Sequence, residues 1–164
     1  MSKLIRVISG GQTGADRAGL EAARSAGLQT GGTVPRGWRT ELGTDLSLRA
    51  FGVEEHASPN YPARTQANVI DSDGTLILGA VSLDGGSELT ASFCRRMRKP
   101  YKFVSTHALD QMALIIVKNW IITSNISVLN VAGNRESKQP GLQREAEEWL
   151  TQLFIQLKER ADAN

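Results

Sequence analysis

The sequence predicts an α/β fold, a Rossmann-like parallel sheet with helices on both faces. Three observations predict it. Short apolar runs alternate along the chain with stretches of helical periodicity, the order that parallel βαβ units produce. The first run, Leu4-Ile5-Arg6-Val7-Ile8, is apolar at neighbouring positions, so both faces of that strand are covered. Glycine turns follow such runs at Gly10-Gly11 and Gly85-Gly86, and 16 of 164 residues are glycine, above the usual share of about 7%.

The elements follow in order. The first strand is expected over Lys3 to Ser9 and is broken by Gly10-Gly11-Gln12-Thr13-Gly14. A helix from about Ala15 to Ala26 has a face of small residues (Ala15, Ala18, Gly19, Ala22, Ala23, Ala26) that lets it lie close to a sheet, and Gly27 suits its end. Thr30 to Thr44 reads as irregular, and Gly52 to His56 as a short strand. Pro59 and Pro62 bracket a turn before a short helix over Ala63 to Ile70. Thr75 to Leu78 is a second apolar strand. Gly85-Gly86-Ser87 then opens a helix over about Glu88 to Arg98, with Pro100 beyond its end. Tyr101 to Val104 is a third strand, Leu109 to about Ile122 an apolar helix, and Ile126 to Val131 a fourth strand. In the last helix Pro140 suits the first turn, and Leu142, Ala146, Trp149, Leu150, Leu153 and Leu157 make one stripe. Glu145, Glu147 and Glu148 near its start and Lys158 and Arg160 near its end complement the helix dipole. Residues 1–160 read as a single ligand-binding domain and 161–164 as a frayed tail.

Composition excludes several classes. With 19 Lys and Arg against 17 acids, the formal charge of +2 is too small and too mixed for a nucleic-acid surface. One cysteine, Cys94, allows no intrachain disulfide and demands no oxidising compartment. The start of the chain reads straight into a strand and not as a signal peptide. The most apolar stretch, Ala113 to Ile122, is interrupted by Lys118 and Asn119 and falls short of the roughly 20 residues of a membrane span. A cytoplasmic protein without membrane attachment is expected.

Chemistry gathers at the glycine loops. In Gly10-Gly11-Gln12-Thr13-Gly14-Ala15-Asp16 the glycines let backbone approach a ligand, and the helix start that follows favours an anion. No Gly-Lys-Ser/Thr follows, so this is no Walker loop, and the G-x-G-x-x-G spacing is missing too. Asp16 suits a ribose hydroxyl or a ligand amine; the plainer alternative is a tight turn with Asp16 as a first-turn charge. Asp84-Gly85-Gly86-Ser87-Glu88-Leu89-Thr90 repeats the design, and two such loops on adjacent parallel strands lie together at the carboxyl edge, where open α/β sheets bind ligands. A third loop, Gly133-Asn134-Arg135-Glu136-Ser137-Lys138, offers Arg135, Ser137 and Lys138 to a phosphate, although alone it also reads as a solvated loop. On a short helix Arg64 and Asn68 share a face, with Thr65 beside them; by spacing alone a surface role is equally open. Arg95, Arg96, Arg98 and Lys99 read as a solvated helix face, His56 and His107 as too isolated for a metal site, and Cys94 as a small core residue.

Gly10 to Asp16, Tyr61-Pro62-Ala63-Arg64-Thr65 with Asn68, Ser72-Asp73-Gly74-Thr75-Leu76, and Asn130-Val131-Ala132-Gly133 with Arg135-Glu136-Ser137 together resemble the putative molybdenum carrier family. That family is the circularly permuted, YpsA-related branch of the SLOG superfamily, and the resemblance covers nearly the whole chain. Beside the related Lonely Guy hydrolases, the unit over Val128 to Leu150 resembles their N-terminal strand, loop and helix. Arg64 stands in their arginine's place and Gly85-Gly86 in that of their Gly-Gly loop. Their catalytic glutamate falls at Ser92 here, with Glu88 four positions early, so a retained phosphate cradle without the hydrolytic carboxylate is implied. The resemblance implies binding of a phosphorylated, nucleotide-like ligand or molybdenum cofactor, whose own dithiolene holds the metal, so that no direct protein metal site is expected. The rival readings are a phosphoribohydrolase acting on nucleoside monophosphates and a nucleotide-sensing module. Superfamily relatives are usually dimers or larger, and the apolar helix needs cover on more than one side, so a homo-oligomer is expected.

Overall fold

In the computed structural model, which describes residues 3–163, the chain runs β1 (Arg6–Ile8), α1 (Ala15–Ser25), β2 (Gln29–Gly31), β3 (Thr33–Val34), β4 (Arg39–Thr40), β5 (Gly43–Thr44), β6 (Glu54–Glu55), α2 (Tyr61–Ile70), β7 (Gly74–Gly79), α3 (Gly85–Arg96), β8 (Tyr101–Ser105), α4 (Gln111–Thr123), β9 (Val128–Gly133) and α5 (Leu142–Asp162). Five strands form one wholly parallel sheet in the order β2-β1-β9-β7-β8. The last strand in the chain is therefore the middle strand of the sheet. Leu129 lies beside Val7 on one flank and Gly74 on the other. All six residues of β7 are buried, as a strand covered on both faces requires.

Helices α1, α4 and α5 cover one face. The small face of α1 (Ala15, Ala18, Ala22, Ala23), Leu114, Val117 and Ile121 of α4, and Leu150, Leu153 and Phe154 of α5 share a core with Val7, Leu76, Leu78, Leu129 and Val131. The small face is needed because α1 sits very close: a Cβ at Gly19 would lie 2.7 Å from that of Val131. On the other face Val69 of α2 packs with Phe93 and Cys94 of α3. A separate small core of Leu20, Val34, Trp38, Leu48, Phe51 and Val53 anchors the segment between β2 and α2. Helix α4 buries Leu114, Val117 and Ile121 and leaves Met112, Ile115 and Ile116 exposed.

The structure corrects several sequence expectations. The strands before the first two glycine loops are not adjacent, because β9 stands between β1 and β7. The segment read as irregular carries β3, the β4–β5 hairpin and the end of β2, an edge strand whose Gln-Thr-Gly sequence has no apolar signal. Pro62 lies inside the first turn of α2. Pro140 precedes α5, whose start is instead held by Glu136: its carboxylate accepts N–H bonds from Gly141 at 2.6 Å and Gln143 at 2.8 Å. Helix α5 runs on to Asp162, which pairs with Lys3 at 2.6 Å; of the expected tail, Asn164 lies outside the described residues. No helix among the described residues is long and apolar enough to cross a membrane.

Candidate functional site

A cleft of about 220 Å³ opens where β1, β9 and β7 end, between α2 and α3. Parallel strands bring every following loop to this one edge. The sheet order puts the loop after β9 in the middle, with the loops after β1 and β7 to either side.

The wall on the β1 side is built on Asp16 and Arg64. Both are largely buried, and Arg64 Nη1 donates to Asp16 Oδ2 at 2.9 Å. The same carboxylate oxygen accepts the Gln12 N–H at 3.1 Å. Burial pushes the Asp16 carboxyl up, against the pull of the Arg64 charge. Arg64 also lies 5.4 Å from the centre of the Tyr61 ring. Its Nε is buried and meets no acceptor among the described residues, a state that costs about 1–3 kcal/mol. Asn68 lines the same wall, but its amide is committed: Oδ1 accepts from Thr33 N and Nδ2 donates to Thr33 O, each at 2.9 Å.

The first glycine loop is closed upon itself and is not an open anion cradle. Gly11 N donates to the Ser9 hydroxyl, Gln12 N to Asp16, Thr13 N to Gln12 Oε1, Gly14 N to Gln143 Oε1 and Ala15 N to Asn134 O. Gly14 has φ of 80° and a Cβ there would stand 2.3 Å from Asn134 O, so glycine is required where this loop touches the loop after β9. Gly11 faces the small core and not the cleft: with φ of 70°, its Cβ would lie 2.7 Å from Val34 Cγ1 and 2.8 Å from Leu48 Cδ1. A valine there would disrupt packing before it reached any ligand.

The second loop is the open one. Helix α3 begins at Gly85 with Asp84 as its N-cap and no side-chain cap bond. Asp84 O takes the N–H groups of Ser87 and Glu88, while no protein acceptor meets those of Gly85 and Gly86 among the described residues. A Cβ at either glycine would meet nothing within 4 Å. The Ser87 side chain is buried to 6% exposure, lines the cleft and makes no hydrogen bond among the described residues. Thr90 Oγ1 donates to Gly86 O at 2.9 Å, which steadies the first turn.

The third loop is divided. Arg135 and Lys138 line the cleft, and Lys138 pairs with Asp84 across its mouth at 2.7 Å. Ser137 turns away to the β4–β5 hairpin, where its hydroxyl and N–H both donate to the Glu41 carboxylate. Thr13 donates to the same carboxylate, and Arg135 Nε lies 4.0 Å from it.

Of the sequence-predicted residues, Gly10, Gln12, Asp16, Arg64, Thr65, Asn68, Gly86, Ser87, Thr90, Gly133, Arg135 and Lys138 come together around the cleft. Gly11, Thr13, Gly14, Gly85 and Ser137 do not line it. Tyr61, Pro62, Leu89, Asn130, Ala132 and Asn134 line it without having been picked out as site residues. Asn130 had a readable signal: it is an amide inside the apolar run of β9, buried to 2% exposure, with Nδ2 reaching Thr75 Oγ1 at 3.3 Å. Glu88 is exposed and paired with Arg95, and the Ser92 hydroxyl donates to Leu89 O at 2.7 Å. Asp16 is thus the carboxylate on the cleft wall. Among the described residues no three His, Cys, Asp or Glu side chains converge as metal ligands. Cys94 is buried in the α3 core, where burial pushes its thiol up.

The model of the circularly permutated YpsA SLOG family matches residues 7–154. A crystal structure titled "Putative molybdenum carrier protein", from Syntrophus aciditrophicus SB, is similar in fold with a TM-score of 0.86 and 35% sequence identity, covering 94% of this chain and 96% of that one. Comparison with curated proteins finds no match.

Proposed function

Because the chain belongs to the circularly permutated YpsA SLOG family, we propose that its cleft binds a small phosphorylated ligand, with the phosphate on the N-terminus of α3. The observation that carries this reading is the set of donors without protein partners. They are the open N–H group of Gly86, the Ser87 hydroxyl and the buried Arg64 Nε, all on residues that line the cleft. The α3 start adds partial positive charge beside Gly86 and Ser87, and at the mouth Lys138 is paired with the Asp84 carboxylate at 2.7 Å, a bond for which a phosphate would compete. Asp16 and Asn130 then face the organic part of the ligand.

The ligand class is a nucleotide or a phosphorylated pterin, including molybdenum cofactor. Likeness to a structure described as a putative molybdenum carrier protein supports the second member of that class. The donor set fits a phosphate ester and a polar ring edge. It offers no group of side chains for molybdenum among the described residues, so the cofactor's dithiolene would hold the metal. The test is Gly86→Asp. The new side chain enters open space at a helix start, where a carboxylate favours the helix, and it repels a phosphate. Titration of AMP and of phosphorylated pterin should give a dissociation constant raised about ten-fold or more with the melting temperature retained. An unchanged constant would remove α3 from the site.

Asp16 favours a second reading, a phosphoribohydrolase. It is a buried carboxylate on the cleft wall with a raised pKa, the direction a general acid takes. Held by Arg64 and Gln12 N–H, it is less free to act than a dedicated base, and we expect binding with negligible turnover. Incubation with AMP should release neither adenine nor ribose 5-phosphate. Release that disappears in Asp16→Asn would make the enzyme reading correct.

A further inference from the structure

Glu41 sits in surroundings that suit an incoming anion. Its carboxylate accepts from the hydroxyls of Thr13 and Ser137 and from Ser137 N at 3.1 Å, and the Arg135 guanidinium stands at 4.0 Å. These donors come from the loops after β1 and β9, two of the loops that border the cleft, and Arg135 lines both places. The carboxylate comes from the turn of the β4–β5 hairpin, a third segment whose base is anchored by Trp38 and Leu48 of the small core while its tip projects beyond it. Strands β4 and β5 have two residues each and pair only with each other. Leu42 at the turn is 85% exposed, and Glu41 N is held to the loop after β1 by Gln12 Oε1 at 2.9 Å. A two-stranded hairpin of this size is marginal without such anchors.

We propose that Thr13, Ser137 and Arg135 form a second oxyanion site, that Glu41 fills it in the ligand-free protein, and that the outer phosphate of a ligand with two phosphoryl groups displaces Glu41 and releases the hairpin. Charge complementarity supports the exchange. Every group around the carboxylate is a donor, one carries a full positive charge, and a phosphate offers them three oxygens in place of two. Burial raises the Glu41 carboxyl, but bonds from Ser137 and Thr13 more than offset it and hold the pKa below the usual value. The same field favours any anion in that position. Arg135 lines the cleft and stands 4.0 Å from Glu41, so a second phosphoryl group that reaches past Arg135 meets this site; this extends the phosphate reading of the cleft.

The experiment compares AMP and ADP on the full chain and on Glu41→Gln by calorimetry. Glutamine keeps the shape and removes the competing charge. ADP affinity should rise about ten-fold in the variant, a change of roughly 1.4 kcal/mol, while AMP affinity stays the same. AMP binding with ADP affinity unchanged or weakened would overturn the second site and leave the cleft reading standing. Absence of both nucleotides from the unaltered chain would instead overturn the nucleotide form of the cleft reading and leave only the phosphorylated pterin. Hydrogen exchange on the unaltered chain then decides the second site, and does so too if Glu41→Gln does not fold. With inorganic pyrophosphate, faster exchange at Leu42 and Gly43 supports displacement, and unchanged or slower exchange overturns it.

Discussion

Arg64 lies across Gly10 so closely that a Cβ on the glycine would stand 1.6 Å from Nη1 and 2.6 Å from Cδ. The end of β1 has no side chain there because the guanidinium occupies that volume, pinned by Asp16.

Gly10→Ala should therefore destabilise the fold by about 1–3 kcal/mol, the range for overpacking a filled site. In an Arg64→Ala background, itself destabilised by loss of the buried Asp16 pair, Gly10→Ala should cost less than in the unaltered chain, since the two groups compete for one space. Denaturant unfolding of both single variants and the double variant measures the coupling. Strict additivity would show that the clash is relieved elsewhere.

Glycines in the other loops divide sharply. Gly14→Ala places a methyl carbon against Asn134 O at a positive φ, so it should cost more than 1 kcal/mol, the scale of ordinary glycine effects. Gly86→Ala meets open space in a helical turn and should be neutral or stabilising by up to about 1 kcal/mol. Thermal melts of the two variants decide it; equal losses would contradict the geometry.

Two carboxylates give opposite dependence on pH. Glu41 has a folded pKa below its ordinary 4.5, so its contribution to stability is complete above about pH 4.5 and is lost as pH falls through the folded value. Asp16 has a folded pKa above its ordinary 3.8, so the folded state holds that proton more tightly. Its contribution is present below about pH 3.8 and is lost as pH rises through the folded value. Unfolding free energy against pH should lose acid-side slope in Glu41→Gln and lose the opposing slope in Asp16→Asn. An acid limb unchanged in Glu41→Gln would sink the first assignment.

Self-association is expected through α4, where Met112, Ile115 and Ile116 stand exposed on one side. Light scattering should find a dimer or larger, and Ile115→Lys with Ile116→Lys should give monomers. A monomer from the unaltered chain at working concentration would count against this expectation.

Alternation of apolar runs and helical periodicity made the parallel sheet and the five helices readable. Alternation is blind to spatial order, which is why β1 and β7 read as neighbours although β9 separates them. Strand β2 escaped because an edge strand of Gln29, Thr30 and Gly31 buries too little to need apolar residues. Three of the glycines grouped in the site also answer other demands: Gly11 the small core, Gly14 contact between two loops, and Gly10, which lines the cleft, the Arg64 side chain. Spacing could not separate these uses, because a missing side chain looks the same whatever fills its place. Glu41 left no local signal at all, since its partners are 28 and 96 residues away in the chain.

A sheet whose middle strand is made last has a consequence for synthesis. Until Val128 to Gly133 leave the ribosome, β1 can pair only with β2 and β7 only with β8. Two-stranded fragments of three to six residues are too small to persist in water. The nascent chain must then wait through more than three quarters of its length with Val7, Leu76 and Leu78 lacking their central neighbour. Insertion of β9 and docking of α5 onto α1 complete both halves in one late step. A chain released before residue 128 should be found bound to chaperones or in aggregates, because neither half has a sheet of its own to fall back on.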